Sequence, residues 1–262
     1  MHKFFIPQEN IDGDTAVIDG EDVKHIYKVL RLEEGTQVSL NDCQGAEYLA
    51  EITAVDKKEV TLKIISRLET NNESPIGIYL FQGLPKSQKM DLIAQKATEL
   101  GVKEITPVIT ERVVARNELG EYKKLDRWNR IALEACKQSK RTLIPKINHP
   151  VEFGDMLKLL EGADLVLVPY ENQEGKGLKK VCQGIDKEKI KNVAIIIGPE
   201  GGFEPSEIEM LEKVGAEVIT LGPRILRTET AGFVCAALVL YELGDLGGIY
   251  NEGSICYTGL QG

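Results

Sequence analysis

No apolar run in this sequence approaches the roughly 20 residues that a helix needs to cross a bilayer, so a membrane-inserted protein is not expected. The opening stretch MHKFFIPQEN is apolar only from Phe4 to Pro7, too short for the core of a secretory signal, and a cytoplasmic chain is expected. Histidine is scarce: there are three, none in an H-x-x-x-H spacing. The five cysteines (Cys43, Cys136, Cys182, Cys235, Cys256) are scattered, odd in number and never spaced C-x-x-C. Neither a disulfide framework nor a metal site is suggested. The G-x-G-x-x-G and G-x-x-x-x-G-K-[ST] patterns are missing, which removes the usual grounds for a dinucleotide or nucleoside triphosphate, and no G-x-S-x-G elbow marks a serine hydrolase. Positive charge is also short. With 32 Lys and Arg against 41 Asp and Glu, the net charge is −9, so a polyanionic partner has to be met by a local patch.

The residues present fall into two rhythms. Up to about residue 70 the segments TQVSL (36–40), EYLAEITAV (47–55) and EVTLKIIS (59–66) alternate apolar with polar residues and are separated by turn signals, which predicts a small antiparallel barrel or sandwich. Ahead of them, EDVKHIYKVLRLEEG (21–35) carries Val23, Ile26, Val29 and Leu30 at helical spacing and gathers Lys24, Lys28 and Arg31 into a short basic element. The polar, proline-ended LETNNESP (68–75) predicts a domain boundary, with a first domain over 1–71, a second over 72–248 and a glycine-rich tail over 249–262.

In the second domain, buried-type strands (76–82, 104–110, 163–169, 192–198, 216–222) alternate with helical stretches such as 87–101 and 125–141. That order predicts an α/β domain with a mostly parallel sheet, in which ligands bind beyond the carboxyl ends of the strands. Three loops come after such ends: YENQEGKG (170–177), PEGGFEP (199–205) and PRILRTETAG (223–232). On spacing alone, GPEGGF reads equally as a ligand-binding turn or as a plain strand-to-helix turn. Arg224, Arg227 and Glu229 read either as surface ion pairs or as a reactive cluster. Lys86, Lys89, Arg112, Arg116 and Arg141, with Lys137 and Lys140, lie near the ends of predicted elements, where they are either solvated faces or a phosphate-contacting track.

Six segments in order, KHIYKVLRL (24–32), LPKSQKMDLIAQKATELGV (84–102), ITERVVAR (109–116), EACKQSKRTLIPKI (134–147), IGPEGGF (197–203) and LGPRILRTETA (221–231), resemble one family over nearly the whole chain. It is the 16S ribosomal RNA uracil-N3 methyltransferases, of the SPOUT superfamily. The resemblance implies a PUA-like β-barrel followed by an α/β domain with a deep trefoil knot, a homodimer built on the knotted domain, and S-adenosylmethionine (SAM) as cofactor. Matching the family's cofactor loops gives Gly198, Pro199, Glu200, Gly201, Leu221, Gly222, Ile225 and Leu226 as SAM contacts, with Leu167 and Pro169 as a third wall. Methyl transfer to a uracil N3 needs alignment, loss of the N3 proton and a cation for the flanking carbonyl oxygens. Arg227 is the first candidate for that cation and Arg224 the second; Glu229 is either a base or the group that orients Arg227. The basic residues Lys24, Lys28, Arg31, Lys86, Lys89, Arg112, Arg116 and Arg141 are the candidate contacts to 16S RNA in the small subunit. The alternatives are a SPOUT methyltransferase of another RNA or atom, or a non-catalytic RNA-binding assembly factor.

Overall fold

The computed structural model describes residues 1–69, 72–86, 89–113 and 123–248, and the expected glycine-rich tail (249–262) and Arg116 lie outside the described residues. The chain divides into two compact units, one built on 1–73 with 140–144 and the other on 74–139 with 145–248. No helix among the described residues is long and apolar enough to cross a membrane.

The first unit is a six-stranded sheet in the order β1-β4-β5-β6-β3-β2. Its strands are β1 (Lys3–Phe5), β2 (Ile11–Asp12), β3 (Thr15–Ile18), β4 (Gln37–Asn41), β5 (Glu47–Val55) and β6 (Val60–Leu68). All pairs are antiparallel except β1 with β4. Register shifts in β5 at Leu49/Ala50 and Ile52/Ala54 bend the long β5–β6 ribbon, as bulges do. One face closes over a core that includes Phe4, Ile18, Val38, Leu40, Ala50, Ile52, Val60 and Leu62. The basic element is shorter than its sequence spacing predicts. Helix α1 covers only Glu21–Lys24 and passes into a π-helix over His25–Leu30, and Arg31 ends it in a left-handed conformation (φ 51°). The wider π-turn changes the phase of the apolar stripe. Val23 and Ile26 are buried as expected, whereas Val29 points outward and is 66% exposed.

The segment 140–144 belongs to this first unit, tied by a bridge between Gln44 and Leu143, by Asn72 and by the Glu73 carboxylate. Glu73 accepts from Arg141 Nη2 at 2.6 Å and from the backbone N–H groups of Thr142 (2.9 Å) and Leu143 (3.0 Å). Burial alone would raise the Glu73 pKa, but the hydrogen bonds and charge of Arg141, with the two backbone donors, bring it below the ordinary carboxylate value.

The second unit is a parallel sheet in the order β10-β8-β7-β12-β11-β13, with a short β9 also paired to β8. It comprises β7 (Gly77–Gly83), β8 (Glu104–Ile109), β9 (Lys146–Ile147), β10 (Val151–Glu152), β11 (Leu165–Pro169), β12 (Asn192–Ile197) and β13 (Glu217–Ile219). The helices are α2 (Lys89–Glu99), α3 (Lys123–Ser139), α4 (Phe153–Leu159), α5 (Leu178–Gln183), α6 (Pro205–Lys213) and α7 (Thr228–Leu243). Central β12 is buried from Val193 to Ile197, as a strand covered on both faces must be. On one face Phe81, Val168 and Ile196 pack with Met156 of α4 and with Ile208 and Leu211 of α6. On the other, α2 packs against α3 and α7, and α7 lies on β7 and β12. Helix α6 starts with a capping box: Glu204 caps the helix and Glu207 returns its carboxylate to the Glu204 N–H at 2.8 Å.

Replacing Glu73 by Gln removes a carboxylate charge from beside the 3%-exposed Arg141, at an expected cost of about 3 kcal/mol near neutral pH. A depressed carboxylate pKa stabilises the fold fully above the unfolded value and loses that contribution as pH falls through the folded one. Urea denaturation between neutral pH and pH ~3 should therefore show a flatter acid limb in Glu73→Gln than in the wild type. An equally steep limb would remove Glu73 as its source.

Candidate active site

The carboxyl ends of β11, β12 and β13 lie side by side, and their loops meet. After β12 the chain turns through Gly198–Gly202, closed by the Gly202 N–H donating to Pro199 O at 3.0 Å, with Gly202 at φ 70°. After β11, residues 170–177 run beside the end of β13, with Thr220 N–H donating to Lys176 O at 2.9 Å. After β13, Gly222 sits at φ 120°, and its N–H donates to Thr220 Oγ1 at 3.1 Å. These positive φ values are the ones glycine adopts without strain.

The three loops enclose a cavity of about 950 Å³, within the range of small-molecule sites. Gly198, Pro199 and Glu200 line one wall, Leu221, Gly222, Ile225 and Leu226 another, and Pro169 with Tyr170 a third. Two expected cofactor contacts lie off the cavity: Leu167 is fully buried within β11, and Gly201 faces Arg112, whose Cβ would be 3.0 Å from a Cβ at that glycine.

Two cations stand open on the cavity wall. Arg224 and Arg227 are both exposed and line it, and neither makes an ion pair among the described residues. Arg227 occupies the N-cap position of α7. Glu229, in the first turn of α7, is 8% exposed and does not line the cavity; its carboxylate lies behind Lys89, with Nζ at 3.5 Å. Lys89 does line the cavity, and its ammonium is 2.9 Å from Glu200. The hydrogen bond to Glu200 is the main cause that raises the Lys89 pKa and keeps it a cation. Burial opposes the charge on Glu200, but that bond and the Lys86 backbone N–H hold its carboxyl below the ordinary value.

Below the turn lies a buried polar chain that sequence reasoning missed. Gln82 Nε2 donates to Thr228 Oγ1 at 2.8 Å, and Thr228 Oγ1 donates to Gly198 O at 2.5 Å. The sequence does carry a signal for it: Gln82 is a lone polar residue at the end of the apolar run IGIYLFQG. Nearby, a Cβ on Gly83 would fall 2.4 Å from Pro199 N, so only glycine lets β7 approach the turn this closely.

The expected RNA contacts are divided among several places. Lys24, Lys28 and Arg31 are exposed on the first unit's α1 and π-helix. Lys86 is exposed beyond β7, and its backbone N–H donates to Glu200. Arg112 donates through Nε to Glu204 Oε1 at 2.7 Å and through Nη1 to Gly201 O at 3.0 Å. Arg141 is buried against Glu73 and holds the 140–144 segment.

An RNA methyltransferase domain model matches residues 72–240, and an RNA methyltransferase PUA domain model matches 18–65. The chain is 35% identical to the ribosomal RNA small subunit methyltransferase E of Bacillus subtilis, over 92% of this chain and 97% of that one. It is 33% identical to the Aquifex aeolicus protein of the same name, over 88% and 95%. Among solved structures, ribosomal RNA small subunit methyltransferase E from Neisseria gonorrhoeae, bound to S-adenosyl methionine, is 31% identical with a TM-score of 0.78, covering 94% of this chain and 99% of that one. A Legionella pneumophila protein solved with bound SAM is 35% identical with a TM-score of 0.77, covering 93% and 98%. With domain models, sequence and fold in agreement over nearly its full length, the chain belongs to the ribosomal RNA small subunit methyltransferase E family.

Proposed function

We propose that this protein transfers a methyl group from SAM to N3 of a uridine in 16S ribosomal RNA, on the assembled small subunit. The observation that carries the reading is the cavity itself: three strand-end loops close around it, and two arginines with no ion pair among the described residues stand on its wall. The cavity suits SAM, because Gly198, Gly202 and Gly222 bring bare backbone to its edge and Pro169, Leu221 and Leu226 supply apolar walls. When bound, SAM supplies an electrophilic methyl group on a sulfonium.

The protein's part is to hold the target nitrogen in line and to stabilise charge as the N3 proton leaves. Arg227, at the start of α7 and on the cavity wall, is our candidate donor to a uracil carbonyl oxygen, with Arg224 as the second cation for the flanking oxygen or a phosphate. Glu200, with its depressed pKa, is a weak base, and Glu229 sits off the cavity behind Lys89. We therefore assign the N3 proton to solvent, and to Glu229 the orienting of Lys89, its ionic partner among the described residues, in place of Arg227. Because a paired uridine engages N3 in its base pair, the target is read unpaired or flipped out.

The PUA-like unit presents Lys24, Lys28 and Arg31 to the RNA, and we take the first unit, 1–73 with 140–144 where the sequence suggested 1–71 alone, as the RNA-binding domain and 74–139 with 145–248 as the methyltransferase domain. A trefoil knot is what the family resemblance implies for the path by which the chain leaves edge strand β13 and returns to lay α7 on central β7 and β12. A homodimer is supported by an apolar face: Leu238 and Tyr241 on α7 and Leu92 on α2 are exposed, and the two helices pack together. With the ribosomal subunit as substrate, the site of action is the cytoplasm.

Incubation with methyl-labelled SAM and small subunits from a strain lacking the modification should label one 16S uridine at N3; no label, or label at another atom, would sink the proposal. Arg227→Ala should leave SAM affinity within a few-fold while lowering turnover by roughly a hundredfold or more. Near-normal turnover would end its assigned role. Lys28→Glu should weaken RNA binding and shrink the slope of log affinity against log salt by about 0.7–0.9 for each phosphate the protein ceases to neutralise. An unchanged slope would remove the basic element from the RNA surface.

A further inference from the structure

The turn that carries the cofactor reading has little means of holding its own shape. Of its five residues from Gly198 to Gly202, three are glycines, which have the most backbone freedom to lose on ordering. Its internal restraint is the Gly202 N–H to Pro199 O bond. Further ties reach it from neighbouring loops, and two of them use cations that the sequence pattern offers to RNA.

The first comes from the loop after β8. Arg112 spans the turn, with Nη1 on Gly201 O at 3.0 Å and Nε on the Glu204 carboxylate at 2.7 Å, and its own Cβ and carbonyl oxygen fill the space beside Gly201. Its neighbour Glu111 donates its backbone N–H to Glu207 at 2.9 Å, the same carboxylate that closes the α6 capping box. The second comes from the loop after β7 and the start of α2. Glu200, on the turn, accepts from the Lys86 N–H at 3.1 Å and from Lys89 Nζ at 2.9 Å, and Lys89 is backed by Glu229 of α7 at 3.5 Å. One tie grips each side of the turn, and each uses a group on the turn itself.

We propose that Arg112 and Lys89 are positioning residues of the SAM site, which hold the 198–202 turn in its binding shape, and are not phosphate contacts of the RNA track. The inference rests on the SAM-site reading above. Arg112 lies off the cavity and acts through the turn, and Lys89, which also lines the cavity, acts on the turn through its bond to Glu200, so the loss of either is felt as weaker cofactor binding. Without them, part of the binding energy goes into ordering the turn.

The test is calorimetric titration of the full-length protein with SAM, paired with RNA binding across a salt series. Arg112→Ala and Lys89→Met should each raise the SAM dissociation constant about tenfold, while RNA affinity and its salt slope stay at wild-type values. In steady state, the KM for SAM rises and turnover at saturating SAM stays within about twofold. Arg112→Lys keeps the charge that a phosphate contact needs but lacks the two separated nitrogens that reach Gly201 O and Glu204, so it should bind SAM nearly as loosely as Arg112→Ala. Glu204→Gln keeps an acceptor for the α6 cap and removes the charged partner of Arg112. In the Arg112→Ala/Glu204→Gln pair the losses should fall well short of additive. Unchanged SAM affinity together with a salt slope smaller by about 0.7–0.9 would return these residues to the RNA surface and overturn the proposal. Additive losses in the double variant would overturn the route through Glu204. If the wild-type protein itself binds no SAM, the functional reading fails; if the wild type binds and the variants bind equally well, this inference alone fails.

Discussion

Everything at the site depends on how closely two backbones can approach. The end of β7 and the turn after β12 come so near that a single added carbon on Gly83 would lie 2.4 Å from Pro199 N. That contact fixes one wall of the cavity, because Gly198 and Pro199 line it. Glycine permits the approach and in return supplies no side chain to stiffen it. The Gln82–Thr228–Gly198 chain beneath the turn and the charged ties on either side of it make up for that missing stiffness.

Much of the fold was legible as periodicity. The alternating runs 47–55 and 59–66 correspond to β5 and β6, and the apolar runs near 77, 105, 165 and 193 correspond to strands of the parallel sheet, because burial on one face or on two leaves distinct patterns. The π-helix at 25–30 was not legible. An extra residue per turn leaves Val23 and Ile26 where an α-helix would put them and turns Val29 out, and no local propensity announces it. The two-residue strands β9 and β10 also escaped, since pieces this short carry no period and exist only because β8 offers them an edge.

For the site, the strand-end loops could be found by locating the loop behind each buried run, and those loops do enclose the cavity. Side-chain pairing could not be found that way. Arg112 and Arg141 look alike in sequence, each a basic residue close to a threonine, yet the first spans a glycine turn and the second is buried on a carboxylate 68 residues away. The same limit explains the net charge of −9 in an RNA methyltransferase family member. A net count cannot separate cations engaged inside the fold from those, such as Lys24, Lys28 and Arg224, left facing solvent.

The Glu73 contact changes what counts as a module in this chain. A fragment ending at residue 73 would contain every strand of the first sheet and still carry a carboxylate whose guanidinium partner is encoded 68 residues later. The first unit is thus continuous as an object and discontinuous as a gene segment. An exchange of sequence at the linear border would carry Glu73 into a background where nothing answers it, so inheritance of this unit as a whole requires 140–144 to travel with it.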